Sequence, residues 1–594
     1  MRELEYPYKS EEIIKKKKAI RKELLDTKKD FINIKVAILT GATIDELKDI
    51  LDLFLLNQGI KVEFYLSEYN KYYEDAVFEN DKLKSFNPDI VYIFTSSRNV
   101  IHNFDLVTSV NAINSKLDEE YEKYLSIWKN IKEKYNAVII QNNFEYPNYR
   151  LLGNKDISDA HGFSNFLLRL NDRFYEYAEK NSGFYICDLN YIAASFGLSK
   201  WHNEKLYALY KLPCDLFAFP DIAFNVSNII KSLYGKNKKV LALDLDNTLW
   251  GGIISEDGIE NVKVGPETAE GEIHLGFQKY IKKLKSLGVL LNVVSKNDEE
   301  LAIDAIKKTD GVLKVDDFVS IKANWDLKSK NIIDISKELN IGEDAFAFVD
   351  DNPVERDIVG SHIDGIGIVN VSTPELYISD LDKSGFFEVT NVSEEDKDKT
   401  RQYKEKKERE DYKNLFSDYK EYLISLDMRA YIDAFESKYY ERISQLSNKS
   451  NQFNLTTKRY TVSDIKRIAE DKNYITLYGK LIDKFGDNGI VSLLIGKIRG
   501  VELDLELFLM SCRVLKRDME YMMMDSLVEE CVKRGIDKIN AKYLKTNKNM
   551  MVKDLLFDFG FTKLSEDANG NSDWEMKELQ KYSKKCKTIT TGLA

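Results

Sequence analysis

The stretch Val240-Leu241-Ala242-Leu243-Asp244-Leu245-Asp246-Asn247-Thr248-Leu249-Trp250-Gly251-Gly252 decides how this chain is read. An unbroken apolar run up to Leu243 has the pattern of a strand buried on both faces, as in a parallel sheet. Two carboxylates and a hydroxyl follow at once: Asp244, Asp246 and Thr248. Ligands of open α/β sheets lie outside the carboxyl ends of the strands, so these groups face a site, not the core.

Taken alone, D-x-D-x-T is also an ordinary capped turn, and further segments in order separate the two readings. Leu290 to Ser295 reads as a second buried strand ending in a hydroxyl, after a helical stretch from Phe277 to Leu287 closed by Gly288. Lys328 follows in Ala323-Asn324-Trp325-Asp326-Leu327-Lys328, and Ala345 to Val349 is a third strand running into Asp350-Asp351-Asn352. This order resembles the four motifs of the haloacid dehalogenase superfamily, whose phosphatases use magnesium and an aspartate nucleophile. The resemblance implies that Asp244 attacks phosphorus, splitting one difficult displacement into two easier ones. Mg²⁺ would be held by the carboxylates of Asp244 and Asp350 and the backbone carbonyl of Asp246, with Asp351 joining through water. Asp246 would protonate the leaving oxygen and then deprotonate the hydrolytic water. Thr248 and Ser295 would hydrogen-bond the phosphoryl oxygens, while Lys328 offsets the negative charge and holds Asp244. The plain alternative for Lys328 is a solvated surface lysine, and Lys330 competes for the role.

Only 51 positions separate Asp244 from Ser295 and 33 separate Ser295 from Lys328. A Gly-rich flap (Gly251 to Gly265) and one helix fill the first interval, so no large cap domain fits. An open site suits a macromolecular substrate or a lid from elsewhere in the chain.

At 594 residues the chain exceeds one core. Charged residues make up 31% and no apolar run approaches the length of a membrane span, so a cytoplasmic protein without membrane contact is expected. A net charge of −11 argues against nucleic acid, and an acidic carrier protein would need a local basic patch. The 5 cysteines are scattered without a C-x-x-C, which indicates neither a disulfide framework nor a zinc site.

Between residues 34 and 235, apolar strands alternate with amphipathic helices, the rhythm of a doubly wound α/β domain. Its opening strand and turn are similar to the SGNH-hydrolase-like domain. Thr40-Gly41-Ala42-Thr43 stands where that family places its nucleophilic serine, and neither His161 nor His202 has an aspartate three residues before it. A binding or scaffolding domain is expected, not an esterase. The division is 1–235 SGNH-like, 236–385 phosphatase-like, 386–430 a charged helical connector and 431–594 a third domain mixing helices and strands.

Further motifs sharpen the resemblance: Ser-Lys-Asn-Asp at 295–298, Val-Asp-Asp-Asn-Pro-Val-Glu-Arg at 349–356, Asn451-Gln452-Phe453-Asn454-Leu455-Thr456-Thr457 and Met510-Ser511-Cys512-Arg513-Val514. With the 244–252 motif they look like the FkbH-like family of the haloacid dehalogenase superfamily, subfamily IIIC. The fold class this implies is α/β in three domains: an SGNH-hydrolase-like doubly wound sheet, a capless Rossmannoid core and a GNAT-like α+β domain. Members resemble bifunctional glyceryl transferases and phosphatases. They take a phosphoglyceryl unit from 1,3-bisphosphoglycerate, remove the phosphate and load glyceryl onto the phosphopantetheine thiol of an acyl carrier protein acting in trans.

Residues expected around the acyl or carrier site are Asn451, Gln452, Asn454, Asp487, Asn488, Arg513 and Arg517. Arg513 to Asp518 lacks the glycine that would wrap coenzyme A pyrophosphate. Arg513, Lys516 and Arg517 either meet the phosphate of a pantetheine arm or salt-bridge with Asp518 and Glu520. Strand parity from Val501 puts Phe508, Met510 and Cys512 on one face, with Leu503, Leu505, Leu507 and Leu509 on the other. Cys512 is then either an acyl relay or a small buried hydrophobe. No histidine follows His362, so a base for Cys512 is a carboxylate, water or a residue from another domain. The rival readings are a Mg-dependent phosphatase of another metabolite whose third domain is a lid, and a scaffold.

Overall fold

The computed structural model describes residues 1–27, 31–391, 398–450 and 452–592, in two compact units, Met1–Leu233 and Tyr234–Ala594. Asn451 lies outside the described residues.

In the first unit, strands β1 (Ile32–Thr40), β2 (Ile60–Leu66), β3 (Ile90–Phe94), β4 (Val138–Asn142) and β5 (Phe184–Cys187) form a parallel sheet of order 2-1-3-4-5. Every residue of β3 and β4 is buried, as a sheet covered by helices on both faces requires. The end of β1 is closed by its own polar groups. The Asn99 carboxamide donates to Gly41 O at 2.9 Å, and a Cβ on Gly41 would fall 2.4 Å from Asn99 Nδ2. His161 Nδ1 meets Asp159 at 2.7 Å, and its Nε2 meets Thr108 O at 2.8 Å.

The second unit holds two sheets. Strands β6 (Val240–Leu243), β7 (Leu290–Ser295), β8 (Phe318–Ala323), β9 (Phe346–Val349) and β10 (Gly367–Ile368) make a parallel sheet of order 10-9-6-7-8. Leu241, Leu243, Leu291 and Val293 pack into one core and Val240, Ala242, Leu290 and Val294 into another, so continuous apolar strands are buried on both faces. Between Asp244 and Ser295 lie a short helix, Ile254–Asp257, and the longer helix Ala269–Ser286.

After the helices Lys399–Lys413 and Tyr419–Ser425 comes a nine-stranded mixed sheet. Its strands are β11 (Met428–Asp433), β12 (Phe453–Asn454), β13 (Tyr474–Asp483), β14 (Gly486–Arg499), β15 (Glu502–Met510), β16 (Lys538–Tyr543), β17 (Thr562–Glu566), β18 (Ser572–Lys577) and β19 (Ile589–Thr591). Pairing is antiparallel except for β15 with β16 and β11 with β19.

Here the parity expected of β15 fails. Ile495 pairs with Leu507 but Gly496 pairs with Leu505, so Glu506 is an extra residue. Such a bulge flips the alternation. Leu503 and Leu505 therefore share a core with Phe508 and Met510, while Leu507 and Leu509 enter the opposite one. Cys512 lies beyond the strand, opening a single helical turn, Cys512–Val514. Among the described residues, no helix is long and apolar enough to cross a membrane.

Candidate active site

β6 is central in its sheet, with β9 on one side and β7 on the other. Leu243 pairs with both Val349 and Val293, so parallel register brings the next residues of three strands to one edge. Asp244 N donates to Val349 O at 3.0 Å, Asp350 follows Val349, and Ser295 ends β7 two residues beyond Val293. Carboxylate oxygens of Asp244, Asp350 and Asp351 lie within 4.8 Å of one another. Lys328, on the first turn of helix Lys328–Leu339, closes the cluster: its Nζ is 2.9 Å from Asp244 Oδ2 and 2.5 Å from Asp350 Oδ2. Lys330 instead pairs with Asp326 at 2.7 Å on the surface.

Three anions and one cation share a nearly dry space. Burial, then the neighbouring Asp244 charge, pushes the carboxyls of Asp350 and Asp351 up. Burial works against the Lys328 ammonium, yet Asp244 and Asp350 outweigh it and hold its pKa above the ordinary lysine value. Asp244 Oδ1 is buried without a hydrogen-bond partner. A buried orphan oxygen beside two further carboxylates is a donor set for a hard, oxygen-seeking divalent cation, and the residues present fit one.

Both carboxylate oxygens of Asp246 are held by three donors. Trp250 Nε1 (2.9 Å) and Ile254 N (3.2 Å) reach its Oδ1, and Asn297 Nδ2 (2.8 Å) reaches its Oδ2. The Thr248 hydroxyl accepts from Asp351 N at 3.2 Å, and Ser295 Oγ accepts from Asn297 Nδ2 at 3.4 Å. The loop is pinned from outside by His274 Nδ1 against Thr248 O (3.0 Å), Gln278 Nε2 against Leu249 O (2.8 Å) and Tyr377 OH against Asn247 O (3.2 Å). Arg356 Nη1 donates to the carbonyls of Asp350 (2.5 Å) and Asp351 (2.9 Å). Sequence reasoning assigned none of these supports. Asn297 stood inside the quoted Ser-Lys-Asn-Asp motif and could have been found, but His274, Gln278 and Tyr377 carry no local signal.

A second cavity, of about 530 Å³, contains Gln452, Cys512, Arg513 and Arg517 among its lining residues. Three other expected acyl-site residues do not line it, because they serve the backbone. Asn454 is buried, its Oδ1 accepting from Thr456 N (3.2 Å) and Thr457 N (2.8 Å). Asp487 accepts from Gly489 N at 2.7 Å, and Asn488 donates to Leu481 O at 3.2 Å. Arg517 salt-bridges with neither Asp518 nor Glu520. It meets Asp483 at 2.9 Å, and Arg409 meets the same carboxylate at 2.8 Å, in a pair of buried ion pairs. The side chains of Arg409 and Asp483 are 2% and 0% exposed, and the carboxylate also accepts from Phe485 N (2.8 Å), Gly486 N (3.2 Å) and Asn488 Nδ2 (3.3 Å). Cys512 Sγ lies 4.0 Å from Tyr403 OH, and Arg513 Nη1 donates to Gln402 Oε1.

This parallel sheet, with carboxylates and a lysine at its carboxyl edge, defines a haloacid-dehalogenase-like core. Residues 35–231 match the family model of the FkbH N-terminal domain. The chain is 28% identical to the N-terminal part of the protein BF1531 from Bacteroides fragilis, a structure containing a phosphatase domain and complexed with Mg. That alignment covers 65% of this chain and 100% of the other, with a TM-score of 0.59. The chain is thus similar to FkbH proteins over residues 35–231 and, over 65% of its length, to a structure that contains a phosphatase domain. The ribosomal-protein-S18-alanine N-acetyltransferase from Escherichia coli aligns over 25% of this chain and 94% of its own, at 12% identity and a TM-score of 0.20. No curated protein matches.

Proposed function

We propose that this chain is a Mg-dependent phosphatase coupled to acyl transfer, taking a phosphoglyceryl unit from 1,3-bisphosphoglycerate, removing its phosphate and loading glyceryl onto an acyl carrier protein. The observation that carries the phosphatase half is Asp244 Oδ1, buried, unpartnered and adjacent to Asp350 and Asp351. The Mg in the Bacteroides fragilis structure supports the same ion here, held by Asp244, Asp350 and Asp351 with the carbonyl of Asp246. Bound there, it supplies the positive charge that lets a phosphate anion approach a carboxylate.

Lys328 orients Asp244 and neutralises part of its charge. Asp244 attacks phosphorus: an O–P bond forms, the ester O–P bond breaks, and Asp246 gives the leaving oxygen a proton. Asp246 then takes a proton from the water that attacks the aspartyl-phosphate, releasing inorganic phosphate and restoring both aspartates. Thr248 and Ser295 hydroxyls hold the phosphoryl oxygens. In the acyl half, the Cys512 sulfur attacks the acyl carbon of the acyl phosphate; a C–S bond forms, the C–O bond breaks, phosphate leaves with the electron pair, and the thiol proton passes to the departing phosphate. The carrier's pantetheine thiol then takes the acyl group by thioester exchange. Support for this half is the FkbH-like assignment and the placement of Cys512 in a cavity of about 530 Å³.

Intact-mass analysis after incubation with 1,3-bisphosphoglycerate and Mg²⁺ tests the whole. A glyceryl or phosphoglyceryl adduct on the enzyme, absent in Cys512→Ser and passed to an added carrier, is the expected result. Carrier loading by Cys512→Ser at the wild-type rate would replace the relay by direct transfer.

A further inference from the structure

In a chain of net charge −11, the cavity at Cys512 is lined by eight lysines and arginines and one carboxylate, Glu410. The cations come from several segments: Lys337 from the phosphatase-core helix Lys328–Leu339, Lys406 and Lys413 from the connecting helix Lys399–Lys413, and Lys516 from beyond the Cys512 turn. No single stretch of sequence displays this concentration. It exists only once the helices are packed together.

Two of the arginines are already spent, Arg409 and Arg517 on Asp483. Of the five lysines, Lys337 lies 3.6 Å from Asp334, Lys548 2.6 Å from Asp344 and Lys406 3.9 Å from Glu410, so the surplus lies with Lys413 and Lys516. Among the described residues neither Lys413 nor Lys516 has a carboxylate partner, Lys413 lying 5.0 Å from the Tyr419 ring centroid. Lys406 is largely buried, donates to Leu339 O at 2.9 Å, and lies 3.9 Å from Glu410. Burial pushes its ammonium below the ordinary lysine value, and the nearby Arg517 adds to that effect. Burial, then Arg409, likewise lowers Arg517 to about 10. Two exposed lysines without a carboxylate partner, beside the buried Arg517 and the largely buried Lys406, gain from an added anion. Lysine suits a phosphate met as a point charge.

We propose that this cavity is an anion site, built jointly by the phosphatase core, the connecting helix and the third-sheet domain, that binds the phosphate of the ligand presented to Cys512. It deepens the reading given above by naming what the cavity holds, and it rests on that reading only for the ligand's reactive end. Two sources share the chemistry: the phosphodiester of a pantetheine arm and the phosphate of a phosphorylated acyl donor.

The test is protection of Cys512 in the full chain from alkylation by iodoacetamide, followed by peptide mass, with half-buried Cys586 as the internal control. Because the readout is at Cys512, phosphate bound at Asp244 does not contribute. Inorganic pyrophosphate at ten times its dissociation constant should slow Cys512 alkylation about tenfold and leave Cys586 unchanged. Lys413→Glu/Lys516→Glu, its fold checked by urea unfolding, should lose the protection. Protection at lower concentration by 4′-phosphopantetheine than by 2,3-bisphosphoglycerate assigns the cavity to the carrier's arm, and the reverse order assigns it to the acyl donor; each supports the site. Equal protection by sodium chloride of matched ionic strength, or undiminished protection in the double variant, overturns it. Carrier loading by Cys512→Ser would remove the relay and leave this result standing, so the two failures are distinguishable.

Discussion

Asn297 Nδ2 donates to Asp246 Oδ2 at 2.8 Å, across 51 positions of sequence. With Trp250 Nε1 and Ile254 N on the other oxygen, that bond fixes the direction in which Asp246 can present a proton. A carboxylic acid must lie within hydrogen-bond reach of the leaving oxygen before its acidity matters. Asn297→Ala should therefore lower kcat for phosphate release by roughly ten- to a hundredfold with little change in KM. An unchanged kcat would show that Asp246 is held well enough by Trp250 and Ile254.

Asp244→Asn keeps the shape of the nucleophile and removes both its charge and its nucleophilicity. Phosphate release should fall by about a thousandfold or more while circular dichroism and the urea midpoint stay near wild type. Chelation of Mg²⁺ in the wild type should have the same effect, reversed by added metal. Turnover by a folded Asp244→Asn protein would rule out an aspartyl-phosphate.

Asp483 holds Arg409 and Arg517 with no solvent exposure of its side chain. Removing the shared partner leaves Arg517 without its carboxylate and Arg409 with only Glu405 at 3.5 Å. Asp483→Asn should cost about 3–5 kcal/mol of stability, read as a lower urea midpoint. A shift below about 1 kcal/mol would mean that water already screens the arginines.

Glu520 has a buried, unpartnered Oε2, and burial, then the Asp518 charge, pushes its carboxyl up to about 7. The unfolded chain releases that proton near pH 4.3, so between about pH 4.3 and 7 the folded state binds more protons than the unfolded. Stability from this group is full at the acid end and is lost as pH rises to about 7. The loss is on the order of 1–3 kcal/mol. Glu520→Gln should flatten this slope and be the more stable protein at pH 8, as urea midpoints at pH 5 and pH 8 would show; parallel curves for the two proteins would place the Glu520 carboxylate in water.

Sequence alone carried the polar strand edge, because a parallel strand's buried run and the polar residues after it are adjacent in the chain. Asp244, Ser295 and Asp350 were each readable from that local grammar. The same local reasoning failed on β15, where the bulge at Glu506 reversed the faces assigned to Leu507 and Leu509. Alternation is a property of an uninterrupted ladder, and an extra residue is set by the partner strand, not by the strand's own residues. It also placed Asn454, Asp487 and Asn488 near the thiol, since polar loop residues look alike whether they meet a ligand or satisfy their own backbone. Tertiary structure decided what no window of sequence holds. It chose Lys328 over Lys330, brought His274 and Gln278 under the catalytic loop, and gathered lysines from distant helices around Cys512. Charge–charge and hydrogen-bond energies depend on distance through space, and in a chain of this length only packing sets those distances.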